Sequence, residues 1–109
     1  MVEINLPLKA CYTARGPEDG IPLVLVHGSV VSKESWLPQL EELSDTYRVI
    51  AVDLPGHGSL AGFPFSYQTA SQILADVIRC ETDQPAVVAG LSLGGYAAIE
   101  FYAAYPQLV

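Results

Sequence analysis

One serine, Ser92, stands between Gly90 and Gly94 in the run AVVAGLSLGGYAAIEFYAAYP, with a further glycine at Gly95. A hydroxyl attacks a carbonyl effectively only when a base takes its proton and fixed donors hold the charge that develops on oxygen. The spacing G-x-S-x-G provides part of this, because the serine adopts a strained conformation that lifts its hydroxyl above the end of a sheet. Flanking residues must then be small, and Gly90 and Gly94 occupy those positions. A helix starting directly after the serine leaves its first N–H groups unpaired, beginning with that of Leu93, and aims them at the nascent oxyanion. Attack and charge stabilisation are therefore encoded within three residues.

Such a turn needs a strand before it and a helix after it. The apolar run 86–89 leads in, and the helix-compatible run 96–105 leads out to Pro106. Further back, "VEINL" and "KACYTA" read as two short strands, and "GPEDG" turns into the buried run "PLVLVHG". "SWLPQLEEL" places Trp36, Leu40 and Leu43 on one helical face, with Ser35 as its N-cap. "YRVIAVDLPGHGS" is a second buried strand that ends in a glycine-rich loop. "SYQTASQILADVIRC" repeats Ala70, Ile73, Leu74, Val77 and Ile78 at helical spacing, and "PAVVAG" is the third buried strand. Apolar strands separated by amphipathic helices predict an α/β fold, a mostly parallel sheet with helices on both faces.

Composition narrows the field. The 109 residues are 50% hydrophobic, enough for one domain with a small core. Five basic against twelve acidic residues give a charge of -7 and a pI near 4.4, with no basic cluster, so nucleic acid and anionic membranes are poor partners. The start "MVEINLPLKA" has no signal-peptide pattern, and no apolar run reaches membrane-spanning length; a cytoplasmic protein is expected. Cys11 and Cys80 lack metal-ligand spacing and read as buried or half-buried thiols.

The ordered trio "LVLVHGS", "VIAVDLPGHGS" and "VVAGLSLGGYAA" resembles the N-terminal half of the α/β-hydrolase fold, from about Tyr12 to Pro106. The wording "GLSLGG" is most similar to 3-oxoadipate enol-lactonases and to esterase and haloperoxidase-like members. The resemblance implies that Ser92 is the nucleophile and that the backbone N–H groups of Leu93 and Ser29 form the oxyanion hole. It implies supporting roles for His27 and His57 and a loop-anchoring role for Asp53, rather than base or acid. No metal or organic cofactor is implied, since no ligand cluster exists and serine hydrolysis needs none. The implied substrate is a small-molecule ester or lactone.

In that family the triad runs Ser, then Asp or Glu, then His. After Ser92 this sequence offers one acid, Glu100, in the following helix, and no histidine. Residues 1–109 therefore read as a single partial domain, cut after the helix that follows the elbow and inactive by itself. The internal strand "PAVVAG" would be left as a free edge, with self-association as the consequence. Two other readings stay open. A fold remnant could serve as a non-catalytic interaction protein. A nucleotide-binding module also uses a strand, a glycine turn and a helix N-terminus, although Ser92 stands where the dinucleotide fingerprint needs its second glycine and no GK[ST] occurs.

Overall fold

The computed structural model describes residues 8–109. The sheet has four strands, β1 (Tyr12–Arg15), β2 (Pro22–Val26), β3 (Arg48–Val52) and β4 (Val87–Gly90), in the order β1-β3-β2-β4. β3, β2 and β4 are parallel, and β1 runs antiparallel to β3. The helices are α1 (Leu37–Leu43), α2 (Tyr67–Glu81) and α3 (Leu93–Ala104). This is the α/β arrangement expected from the alternation of apolar and amphipathic runs.

Strand residues alternate between two cores because successive side chains point to opposite faces. On one face Val24, Val26, Ile50 and Val52 pack with Ile73, Leu74, Val77 and Ile78 of α2 and Ala97 and Phe101 of α3. On the other, Leu25, Val49 and Ala51 pack with Leu40 of α1 and the partly buried Trp36 and Leu43. All five apolar residues of the α2 pattern are buried, and Ser66 caps that helix, its Oγ accepting from Thr69 N at 3.0 Å. Among the described residues no helix is long and apolar enough to cross a membrane.

Three local expectations are corrected. "KACYTA" is not one strand: Leu8–Cys11 is a 3-10 turn, and pairing starts only at Tyr12, opposite Val52. β3 ends at Val52, and beyond the ladder Asp53 N–H still donates to Cys11 O at 2.8 Å. Ser35 is not an N-cap but lies within a second 3-10 turn, Lys33–Trp36. α1 begins at Leu37 because Pro38, with its fixed φ and missing N–H, fits a first helical turn. Cys80 is exposed on the last turn of α2, whereas Cys11 is buried and its thiol is pushed up to about 11 by desolvation. The expected strand "VEINL" lies outside the described residues.

At the N-terminal ends of the parallel strands, Arg48 ties three segments together. It donates to Gly16 O at 2.7 Å and to Glu81 Oε1 at 2.8 Å, while Tyr12 Oη donates to Glu81 Oε2 at 2.6 Å. Burial opposes ionisation of Glu81, but these bonds hold its carboxyl below the ordinary range. The clamp leaves the opposite, C-terminal strand ends as the place where loops gather.

Candidate active site

β4 ends at Gly90, and α3 starts at Leu93, so Leu91 and Ser92 make the whole connection. Ser92 has φ 55° and ψ -117°, a conformation that L-residues avoid. Its backbone is held from both sides. Leu91 N–H donates to Val26 O at 3.1 Å, while Gly94 N–H donates to Leu91 O at 2.9 Å and Gly95 N–H to Ser92 O at 2.8 Å. Strain of this kind persists only where the surroundings determine it, and it concentrates at functional sites.

The glycines of this turn do different work. A Cβ on Gly94 would run into the backbone carbonyls of Val26 and His27, the latter at 2.6 Å, and one on Gly90 would strike the Gly94 carbonyl. Side chains are thus excluded by main chain on both sides. At Gly95 the nearest atom would be Gly90 O at 3.4 Å, an ordinary contact, so the third glycine is not required by space.

Ser29 follows β2 on the neighbouring loop, and Gly28 brings that loop against the turn: a Cβ there would stand 3.7 Å from Ser92 Cβ. The N–H groups of Ser29 and Leu93 have no hydrogen-bond acceptor among the described residues. Ser92 is exposed, and its side chain makes no capping bond to α3. The structure therefore sets the loop that carries Ser29 against the Ser92 turn, with the N–H groups of Ser29 and Leu93 and the Ser92 hydroxyl unbonded among the described residues.

His27 is fully buried and engaged at both nitrogens. Leu54 N–H donates to Nε2 at 2.9 Å, which fixes Nε2 as an acceptor, so the proton sits on Nδ1 and is donated to Gly28 O at 2.7 Å. In a trans peptide the C=O and the next N–H point in opposite directions. By holding the Gly28 carbonyl inward, His27 turns the Ser29 N–H away from itself. His57 lies 5.1 Å from His27, centroid to centroid, and its Nδ1 is 3.0 Å from Pro55 O. No histidine bonds Ser92 among the described residues.

Asp53, at the end of β3, is buried and accepts from Lys33 N (2.8 Å), Lys33 Nζ (2.9 Å), Ser59 N (3.0 Å) and Ser59 Oγ (2.8 Å). Desolvation opposes its ionisation, yet these four donors bring its pKa below the ordinary value. It joins two loops rather than orienting a histidine. Lys33 escaped sequence reasoning; the available signal was that a buried strand-end carboxylate needs a cation. Glu100 lines a groove between α2 and α3 with Tyr67, Ser71 and Tyr105, away from the Ser92 turn.

Burial, foremost, and the nearby His57 lower the pKa of His27 from 6.5, although its bond to Gly28 and the charges of Asp53 and Glu34 oppose this. With the folded pKa depressed, the unfolded chain takes up the proton first. The stability contributed by neutral His27 is thus complete above 6.5 and is lost as pH falls through the lower folded value. Wild type should lose melting temperature relative to His27→Gln in a series run downward from neutral pH. Parallel curves for the two proteins would mean that His27 is not held neutral.

The profile described as "Alpha/beta hydrolase family" matches residues 23–109. The chain is 33% identical over 113 aligned positions to (E)-2-((N-methylformamido)methylene)succinate hydrolase of Acinetobacter baylyi, covering 100% of the chain and 43% of that protein. It is 31% identical to carboxylesterase YbfK of Bacillus subtilis, covering 93% of the chain and 35% of the relative. Superposed on the crystal structure of naproxen esterase from Bacillus subtilis, it has a TM-score of 0.75 at 32% identity, over 90% of the chain and 35% of the esterase. The chain thus spans between about a third and two-fifths of the length of these relatives.

Proposed function

The chain belongs to the alpha/beta hydrolase family, and from that premise we propose that Ser92 is the nucleophile of a serine hydrolase acting on carboxylic esters or lactones. The observation that carries this reading is the conformation of Ser92, φ 55° and ψ -117°, held beside the free N–H groups of Ser29 and Leu93. Relatives named as carboxylesterases support the same class.

Ser92 Oγ forms a bond to the acyl carbon as a base takes its proton, and the carbonyl π pair moves onto oxygen. The N–H groups of Ser29 and Leu93 receive that charge; losing one such donor costs about 10²–10³ in turnover. Return of the electron pair breaks the bond to the alcohol oxygen, which takes the proton, and water repeats the sequence on the acyl-enzyme. The two histidines of this sequence are His27 and His57; the first has both nitrogens engaged, and neither bonds Ser92. On this reading residues 1–109 form one partial hydrolase domain, whose base and acid lie in the part of the fold that the longer relatives carry. The chain alone should therefore hydrolyse p-nitrophenyl butyrate no faster than Ser92→Ala. A clear excess of wild type over the variant would place a working base within these residues.

Self-association belongs to the same reading. β4 is an edge of the sheet among the described residues, Val87 is 55% exposed, and Ile99 and Tyr102 of α3 are exposed as well. A free apolar edge offers unpaired N–H and C=O groups to another chain. Light scattering after size exclusion should show oligomers that Val87→Lys shifts toward monomer. A monodisperse wild-type monomer with a cooperative melt would overturn this.

A further inference from the structure

Of the described serines only Ser71 is buried, at 4% exposure, and its hydroxyl has no hydrogen-bond partner among the described residues. The neighbouring side-chain bond joins Ser66 and Thr69 instead. A buried hydroxyl without a bond destabilises a fold, and alanine favours a helix more than serine does. Ala70 and Ala75, buried on the same helix, need no hydroxyl. The fold gives no reason for the oxygen of Ser71, and that residue lines the groove between α2 and α3.

The other walls of the groove give the chemistry that would satisfy it. The volume is about 550 Å³, within the range of small-molecule sites, and Tyr67, Gln68, Gln72, Glu100 and Tyr105 line it with Ser71. It has a carboxylate, further hydrogen-bond acceptors and two aromatic rings, but no Lys, Arg or His in its lining. Glu100 is exposed and forms no ion pair among the described residues. The rings are held in place, Tyr67 by Phe65 at 5.2 Å between centroids and Tyr105 by Phe101 at 5.5 Å. The guanidinium of Arg79 already stands 5.5 Å from the Tyr105 centroid, so this ring accepts a cation.

We propose that the α2–α3 groove is a binding site for a primary ammonium group on an aliphatic stem, which donates to Ser71 Oγ and faces the carboxylate of Glu100 while its methylenes lie along the tyrosine rings. An ammonium carries three donors on a compact head at the end of a thin stem. That shape reaches a hydroxyl as enclosed as Ser71, whereas a planar guanidinium fork suits only the exposed carboxylate. A free alkylamine and a lysine side chain share this chemistry. The site uses no residue of the Ser92 turn and is independent of the role of that serine.

The test is a titration of the ¹⁵N-labelled 109-residue chain with butylammonium, with butanol as the uncharged control, and with Nα-acetyl-lysine N-methylamide. Butylammonium should shift the amide signals of residues 68–72 and 100–105 to saturation, and butanol should not. Ser71→Ala and Glu100→Gln should each weaken binding about fivefold. Ser71→Ala should melt no lower than wild type, since it removes an unbonded hydroxyl. Tighter binding of the lysine derivative than of butylammonium would identify a partner's lysine as the source, and the reverse order a free amine; either supports the site. Absent shifts, an equal response to butanol, unchanged affinity in both variants, or shifts as strong at Glu18, Asp19 and Asp83 as in the groove would overturn the inference. A marked fall in the melting temperature of Ser71→Ala would show that the hydroxyl serves the fold and would overturn it too.

Discussion

Gly94→Ala should unfold the chain or nearly so, whereas Gly95→Ala, one residue further on, should leave its stability unchanged or raise it. A methyl group at 94 would overlap the carbonyl of Val26 and stand 2.6 Å from that of His27. Both carbonyls are main chain, one at the end of the inner strand β2 and one just after it, so neither yields as a flexible side chain would. Overpacking of this kind costs about 1–3 kcal/mol where side chains can adjust, and more where they cannot. A loss of about 4 kcal/mol is a large share of the 5–15 kcal/mol that typically separates folded from unfolded domains. At 95 the new methyl group meets only an ordinary contact at 3.4 Å, and alanine is favoured over glycine in a helix by about 1 kcal/mol. Urea denaturation of the two variants checks the contrast. Equal stabilities would mean that α3 is free to move away from the sheet, and that the close approach of Gly94 does not fix the turn.

The second large effect is on reactivity. Joined to the remaining length of a relative such as the Bacillus subtilis naproxen esterase, which this chain matches over 35% of its length, Ser92 should become reactive toward a fluorophosphonate. The chain alone should not. Removing the serine or histidine of a triad costs on the order of 10⁶ in turnover, since the pair acts as a unit. The difference between hybrid and chain should be of that order in ester hydrolysis and all-or-none in labelling. Ser92→Ala in the hybrid should abolish labelling, and Gly94→Val should do so nearly as completely, because a β-branched side chain has no room there. Peptide mapping of the label to another serine would move the nucleophile elsewhere. A folded Gly94→Val hybrid that labels normally would reduce the glycine turn to a packing device.

Much of this was legible from the chain because the relevant signals are local. The strand-turn-helix around Ser92 is written in consecutive residues: an apolar run, spaced glycines and a second apolar run. The α2 face was equally plain, since Ala70, Ile73, Leu74, Val77 and Ile78 repeat at helical spacing and are all buried. What escaped depends on partners distant in sequence. Lys33 and Asp53 are twenty positions apart and meet only because β3 ends beside the loop after β2. The start of β1 could not be placed from "KACYTA", because its limit is set by where β3 stops. The strain at Val30 had no sequence signal at all; β-branched residues argue for extended backbone, and a left-handed valine contradicts its own propensity.

The Ser92 turn is located almost wholly by main chain. The β2–β4 ladder, the Leu91 N–H on Val26 O and the glycine backbone pressed on the end of β2 fix where the hydroxyl stands. None of these contacts reads the identity of a core side chain. Hydrophobic residues in the two cores can therefore be exchanged, provided that volume is conserved, without displacing the Ser92 hydroxyl. That insulation is consistent with a chain which is only 32% identical to naproxen esterase over the part of the esterase it matches and still superposes on it with a TM-score of 0.75. A side chain at either of the two tight glycines would meet main chain that cannot yield, whereas the surrounding valines and leucines answer to the demands of packing alone.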